Sequence, residues 1–202
     1  MTRRGELIVA VLGLGEAGSR IAADLSAAGA VVRGFDPRVP AASIGIIECA
    51  GDADACRGAD VVLSLTTAHE ALDALTASLP VLSPGAIYAD LNTSSSALKK
   101  ALASLADGAA GARFADVALM APVPGKGLRT PMLTSGPAAA DYARLLSGLG
   151  AQVEVGRVYR VWELGVVVPG VTDSPYLLGQ RGSLCSKWFV GTCPFPLLVP
   201  SG

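Results

Sequence analysis

Gly13, Gly15 and Gly18 follow directly on the apolar run Leu7–Leu12, and glycines spaced G-x-G-x-x-G after such a run suit one kind of chemistry, the gripping of a diphosphate by main-chain amides. Gly13 permits the tight turn, a side chain at Gly15 would meet the approaching pyrophosphate, and Gly18 lets the following helix pack closely on the strand. Leu14, Glu16 and Ala17 lie in the same turn, where unpaired N–H groups and the positive end of the helix dipole face the phosphates. Asp36 stands 18 positions after Gly18. That is close to the roughly 20-residue interval at which a carboxylate meets the adenosine ribose. Such a carboxylate accepts from a ribose hydroxyl and repels a 2′-phosphate, which favours NAD over NADP. Arg38 pulls the other way, since a guanidinium two residues on can pair with that phosphate.

These residues need a frame, and the pattern around them predicts one. Ala17, Ile21, Leu25 and Ala28 form an apolar helical stripe that Gly29 ends; residues 30–35 read as a second strand with Asp36 at its end. Strands and helices then keep alternating. Residues 60–65 form a buried strand, and a helix follows with Ala71, Leu72, Leu75 and Leu79 inward. Residues 86–91 form the next strand, Thr93 or Ser94 caps a helix carrying Leu98, Ala101, Leu102 and Leu105, and residues 113–118 form one more strand. The expected fold class is α/β, a Rossmann-like doubly wound and mostly parallel sheet. Ligands of such sheets bind beyond the carboxyl ends of the strands, which here are residues 13–18, Asp36, Leu65 to Thr67, Asn92 to Ser94 and the loop after Leu119.

Composition narrows the function classes. In 202 residues, 51% hydrophobic and 16% charged, there is material for one full core and part of a second domain. The net charge of −1 and the scattered Lys and Arg residues give no footprint for nucleic acid. No apolar run reaches the roughly 18 residues of a membrane span. Arg3-Arg4 ahead of an apolar run is not a secretory signal, because Glu6 interrupts it and the glycines sit where cleavage would fall. Cys49, Cys56, Cys185 and Cys193 show no metal-ligand spacing, and His69 is the sole histidine, so the cysteines read as reduced thiols of a cytoplasmic protein and no metal site is expected. His69 itself reads as a cap or surface residue.

The loop 120–131 is rich in Gly and Pro and carries Lys126 and Arg129. Lys126 between two glycines offers an ammonium beside exposed main-chain N–H groups, which suits a carboxylate or phosphate. A rigid turn between two edge strands, with both cations merely solvated, is the equal alternative.

Together, Gly-Leu-Gly-x-x-Gly, Asp36, Leu-Ser-Leu-Thr-Thr67, Asp90-Leu-Asn-Thr-Ser-Ser95 and Ala121-Pro-Val-Pro-Gly125 resemble the β-hydroxyacid dehydrogenases, a family that includes 6-phosphogluconate and 3-hydroxyisobutyrate dehydrogenases. The resemblance covers about the first 155 residues, and the run 116–131 looks most like a phosphogluconate dehydrogenase-like subgroup. It implies an NAD(P)-dependent oxidoreductase that passes hydride from a small anionic hydroxy acid to nicotinamide. By the same resemblance Asn92 and Thr93 lie beside nicotinamide and substrate, while Pro124, Gly125 and Lys126 match the loop that binds the substrate carboxylate. Asn92 stands where the family has Ser; Pro124 and Lys126 replace Ser and Gly. The resemblance thus gives Gly13 to Gly18, Asp36, Arg38, Leu65, Thr66, Thr67, Asn92 and Thr93 as cofactor residues and Asn92, Gly125 and Lys126 as substrate residues.

In that family a Lys on a long helix after the cofactor domain is the base, within a helical domain that often makes a homodimer. From residue 156 to 202 the sequence is unlike such a helix: alanine disappears, and both tryptophans and Pro169, Pro175, Pro194, Pro196 and Pro200 fall there. Lys187, its single lysine, reads as solvated. We therefore expect a cofactor domain at 1–155 and an atypical tail at 156–202. The expectation is that the helical domain is missing or replaced, with a shifted reading frame or alternative splicing as its hypothesised origin. The alternative function is a truncated, catalytically inactive NAD(P)-binding module.

Overall fold

The computed structural model describes residues 6–108 and 112–156. The chain alternates from its start: β1 (Ile8–Leu12), α1 (Glu16–Ala27), β2 (Val31–Phe35), β3 (Ile47–Glu48), α2 (Asp52–Cys56), β4 (Val61–Ser64), α3 (Ala71–Ser78) and β5 (Ile87–Asp90). It continues with α4 (Ser96–Asp107), β6 (Arg113–Leu119), β7 (Met132–Ser135), α5 (Ala139–Ser147) and β8 (Val153–Val155). Among the described residues the strands form one sheet in the order β3-β2-β1-β4-β5-β6-β7-β8. All neighbours are parallel except β6 and β7. This is the expected Rossmann-like architecture. Because β2 lies on one side of β1 and β4 on the other, the chain reverses its winding there, and a crevice opens at the carboxyl ends of β1 and β4.

Both faces of the sheet are covered at its centre, and the central strands β1 and β4 are accordingly buried along almost their whole length. Val9 and Val11 point to the side packed by Ile21 and Leu25 of α1 and Tyr142 and Leu146 of α5. Ala10 and Leu12 point to the other side, where Cys56, Leu75 and Leu102 of α2, α3 and α4 lie.

Several expected faces and caps are corrected. Leu72 is 37% exposed, and Ala71, Ala74, Leu75 and Ser78 turn toward the sheet instead. The buried stripe of α3 runs through positions 71, 74, 75 and 78, which leaves Leu72 on the outer side of the helix. In α4 the residues facing inward are Lys99, Leu102 and Ala106, whereas Ala101 and Leu105 are exposed. A lysine in that stripe rotates the buried face away from the one its leucines suggest. The cap of α4 is Ser95, whose Oγ accepts from the Leu98 amide at 3.3 Å, and not Thr93 or Ser94. Ala28 is exposed at the end of α1. The loop 120–131 joins β6 and β7, both interior to the sheet rather than edge strands; the edges are β3 and β8. The tail at 156–202, with Lys187, Cys185 and Cys193, lies outside the described residues except for Gly156.

Among the described residues no helix is long and apolar enough to cross a membrane. Cys56 is buried, and its thiol donates to Ser78 Oγ at 3.2 Å. Burial pushes this thiol up to about 12, and burial together with Asp54 raises the half-buried Cys49. The thiolate is the reactive form. At pH 8, Cys56 is therefore expected to be modified by an aromatic disulfide only as fast as the chain unfolds, as read by peptide mass mapping; rapid labelling in the native protein would contradict its packing. The sign of the linkage follows. Above its ordinary value of 9.0 the thiol ionises first in the unfolded chain, so this contribution to stability falls as pH rises toward about 12.

Candidate functional site

The glycine turn is built by three different constraints. Gly13 has φ +86°, and a Cβ there would run into the Leu65 carbonyl of the neighbouring strand end. At Gly18 a Cβ would strike the Gly13 carbonyl, so the close approach is between α1 and the turn itself, not the strand expected from the sequence. Gly15 differs from both. Its φ of −61° and ψ of −165° are open to any residue, and a Cβ there meets nothing within 4 Å. The space before Gly15 is empty and adjoins the start of α1. As the residue capping α1, Gly15 offers no side-chain acceptor to the first-turn N–H groups.

Asp36 closes the other side. Its Oδ2 accepts from the Leu14 amide at 2.8 Å, and Oδ1 accepts from the amides of Arg38 at 2.8 Å and Val39 at 3.1 Å. An ionised carboxylate has about four acceptor positions. Three are thus used within the chain, and one acceptor position on Oδ2 remains. The Leu14 amide is thus engaged by Asp36, and its side chain is buried in the core.

A cleft of about 260 Å³ runs across these elements, lined by Gly13, Gly15, Asp36, Arg38, Leu65, Thr66 and Thr67 among the expected residues. Asp52, Glu70 and Asp73 line it too, and the sequence reading did not single them out. Glu70 left a signal, since Thr67-x-x-Glu70 is the spacing of a capping box, and the Thr67 amide (3.2 Å) and hydroxyl (2.9 Å) both donate to Glu70 Oε2. Burial and the nearby Glu70 raise Asp52 above the ordinary carboxylate range. Arg38 lies 3.8 Å from Glu70 in a solvent-exposed pair, a loose tether. The cleft therefore faces its ligand with four carboxylates against one guanidinium. His69 lies in the exposed turn before α3, as expected of a surface residue.

Beside the cleft, at the ends of β4 and β5, is a buried polar cluster. Asn92 Nδ2 donates to Asp90 Oδ1 at 2.5 Å, to Ser64 Oγ at 3.1 Å and to Thr66 Oγ1 at 3.4 Å. Behind Asp90 sits Lys99, whose Nζ lies 2.5 Å from Asp90 Oδ2, 3.1 Å from the Asp90 carbonyl and 2.7 Å from Asp116 Oδ1. Thr93 is exposed next to Asn92. The sequence reading found Asn92 but not Lys99 or Asp116.

Gly125 and Lys126 do not line the cleft. Their loop is held to the flank of α1, where the Leu128 amide donates to Asp24 Oδ2 at 2.8 Å and leaves Gly125 and Lys126 exposed. Asp24, near the carboxyl end of α1, carried no sequence signal for this role. Among the described residues no group of His, Cys, Asp and Glu is arranged to hold a metal.

The empty space at Gly15, the uncapped first turn of α1 and the remaining acceptor position on Asp36 fit a dinucleotide. Comparisons with known proteins agree. Residues 8–150 match the family model described as the NAD binding domain of 6-phosphogluconate dehydrogenase. No curated protein sequence matches the chain. Among solved structures, a conserved hypothetical protein from Sinorhizobium meliloti 1021 is 27% identical, with 76% of this chain and 55% of that one covered and a TM-score of 0.68. The 3-hydroxyisobutyrate dehydrogenase of Mycobacterium tuberculosis, solved with L-serine, is 26% identical over 75% of this chain and 54% of its own, with a TM-score of 0.66. An imine reductase variant from Myxococcus stipitatus, in complex with NAD+, shares the fold at 20% identity, with 80% and 58% covered and a TM-score of 0.66. The chain spans a little over half the length of these structures.

Proposed function

This chain belongs to the family of the NAD binding domain of 6-phosphogluconate dehydrogenase, and from that premise we propose that it holds NAD in the cleft between Gly13 and Asp36 and serves hydride transfer from a small anionic hydroxy acid. The observation that carries the reading is Gly15, a glycine that neither the backbone nor its neighbours require and that a diphosphate would.

The nicotinamide, when bound, supplies the hydride acceptor. The chain's own residues bind and orient. The first turn of α1 directs its N–H groups at the diphosphate, aided by the helix dipole. Asp36 Oδ2 accepts from a ribose hydroxyl, and the ends of β4 and β5, from Leu65 to Thr67 and at Asn92 and Thr93, flank the nicotinamide half. The family resemblance assigns the substrate carboxylate to Gly125 and Lys126, which stand exposed outside the lining of this cleft. Hydride removal also needs a base for the hydroxyl proton. Among the described residues Lys99 has three acceptors around its ammonium and is buried, while Lys126 and His69 are exposed and do not line the cleft. That observation favours a second reading, in which residues 1–155 form a cofactor-binding module without chemistry of its own. Titration with NADH and assay with NAD and a panel of hydroxy acids separate the two. NADH binding with turnover supports the oxidoreductase, binding alone supports the module, and no binding removes both.

Four acids against one arginine should also set the choice of cofactor, because a 2′-phosphate brings further negative charge into the cleft. Wild-type chain is expected to bind NADH at least about tenfold more tightly than NADPH. Replacing Glu70 with Gln releases Arg38 and removes one carboxylate, and should raise NADPH affinity several-fold while leaving NADH nearly unchanged. Equal affinities in the wild type would remove the electrostatic argument. Asp36→Ala is a poorer probe, since it also unfastens the Leu14 amide.

A further inference from the structure

Lys99 occupies a place that should not suit a cation. It is 5% exposed and lies in the first turn of α4, near the positive end of that helix. What offsets both penalties is its set of partners: Nζ donates to the Asp90 carbonyl and to Asp90 Oδ2, and forms a second ion pair with Asp116 Oδ1 at 2.7 Å. The consequence reaches Asn92. With Oδ2 engaged by the ammonium, Asp90 presents Oδ1 to Asn92, and a carboxylate oxygen accepts only from the amide nitrogen. Ser64 and Thr66 hydroxyls meet the same nitrogen. The amide is thereby fixed in one of its two orientations. Its other atom, Oδ1, has no hydrogen-bond partner among the described residues, although Asn92 is only 7% exposed. A buried acceptor without a donor is costly unless a ligand completes it.

We propose that Lys99 is a positioning residue which, through Asp90, holds Asn92 Oδ1 ready to accept from the carboxamide NH2 of a bound nicotinamide. This rests on the dinucleotide reading above. It adds a polarity to the site, in which the chain offers an acceptor, and an amide is recognised where a carboxylate is rejected.

The test compares three ligands by calorimetry on the full chain: NAD+, its nicotinic acid counterpart with a carboxylate in place of the carboxamide, and ADP-ribose, which lacks the ring. Wild type is expected to prefer NAD+ over the acid counterpart by at least about tenfold. Lys99→Met combined with Asp90→Asn removes the Lys99–Asp90 pair, leaves the Asp116 carboxylate in place, and frees the Asn92 amide to turn. In that variant the preference should fall toward one, while ADP-ribose affinity, which also reports that the domain is folded, changes less than about twofold. Asn92→Leu should abolish the preference by removing the acceptor itself. The proposal is overturned if wild type does not discriminate, if the double variant discriminates as well as wild type, or if NAD+ and ADP-ribose weaken in parallel, which would mark Lys99 as structural only. Wild type that fails to bind ADP-ribose would overturn the dinucleotide reading beneath it.

Discussion

Gly15→Val is expected to weaken NADH binding at least about 100-fold while leaving stability within about 0.5 kcal/mol of wild type. The two effects separate because the position is conformationally ordinary. Its dihedral angles are extended, and its missing Cβ faces open space rather than protein. Valine fits the folded chain and fills the volume into which the diphosphate must come. Gly13→Ala is the contrasting variant. There the left-handed φ and the Leu65 carbonyl both oppose a side chain, so a loss of about 2–4 kcal/mol in urea unfolding should accompany the loss of binding. If Gly15→Val binds NADH normally, the diphosphate does not lie before α1 and the cleft serves something else.

Lys99→Met alone should destabilise the domain by about 3–5 kcal/mol, the range found when one partner of a buried ion pair is removed. Asp90 is fully buried and Asp116 almost so, and the substitution leaves both carboxylates without their cation. Adding Asp90→Asn and Asp116→Asn should restore a substantial part of the loss, because the charges then disappear together. Urea unfolding of the single and triple variants measures both effects. A single variant within about 1 kcal/mol of wild type would mean that water, rather than Lys99, satisfies the carboxylates.

Much of the nucleotide-binding half was legible in the sequence because its signals are local. The strand, the three glycines, the helix after them and Asp36 lie within one contiguous stretch, and each carries its own conformational signature. What escaped was non-local or degenerate. Lys99 looks like a surface residue of an amphipathic helix until Asp90 and Asp116, from two different strands, are brought beneath it. Four consecutive hydroxyl residues, Thr93 to Ser96, compete to cap α4, and only the course of the backbone selects Ser95. Leu72 was placed inward by spacing alone, but the helix turns Ala71, Ala74, Leu75 and Ser78 inward, and of these Ala74 and Ser78 are too small or polar to mark a core face in the sequence. The acidic lining of the cleft combines Asp36 with Asp52, Glu70 and Asp73, which lie in or just before α2 and α3. No spacing along the chain announces that convergence.

The bond from the Leu14 amide to Asp36 joins the phosphate turn to the end of the second strand within the protein itself. The ordering entropy of that cradle is therefore lost during folding and not at ligation. The main-chain geometry of that corner is then in place before a nucleotide arrives, which lowers the ordering cost of binding there.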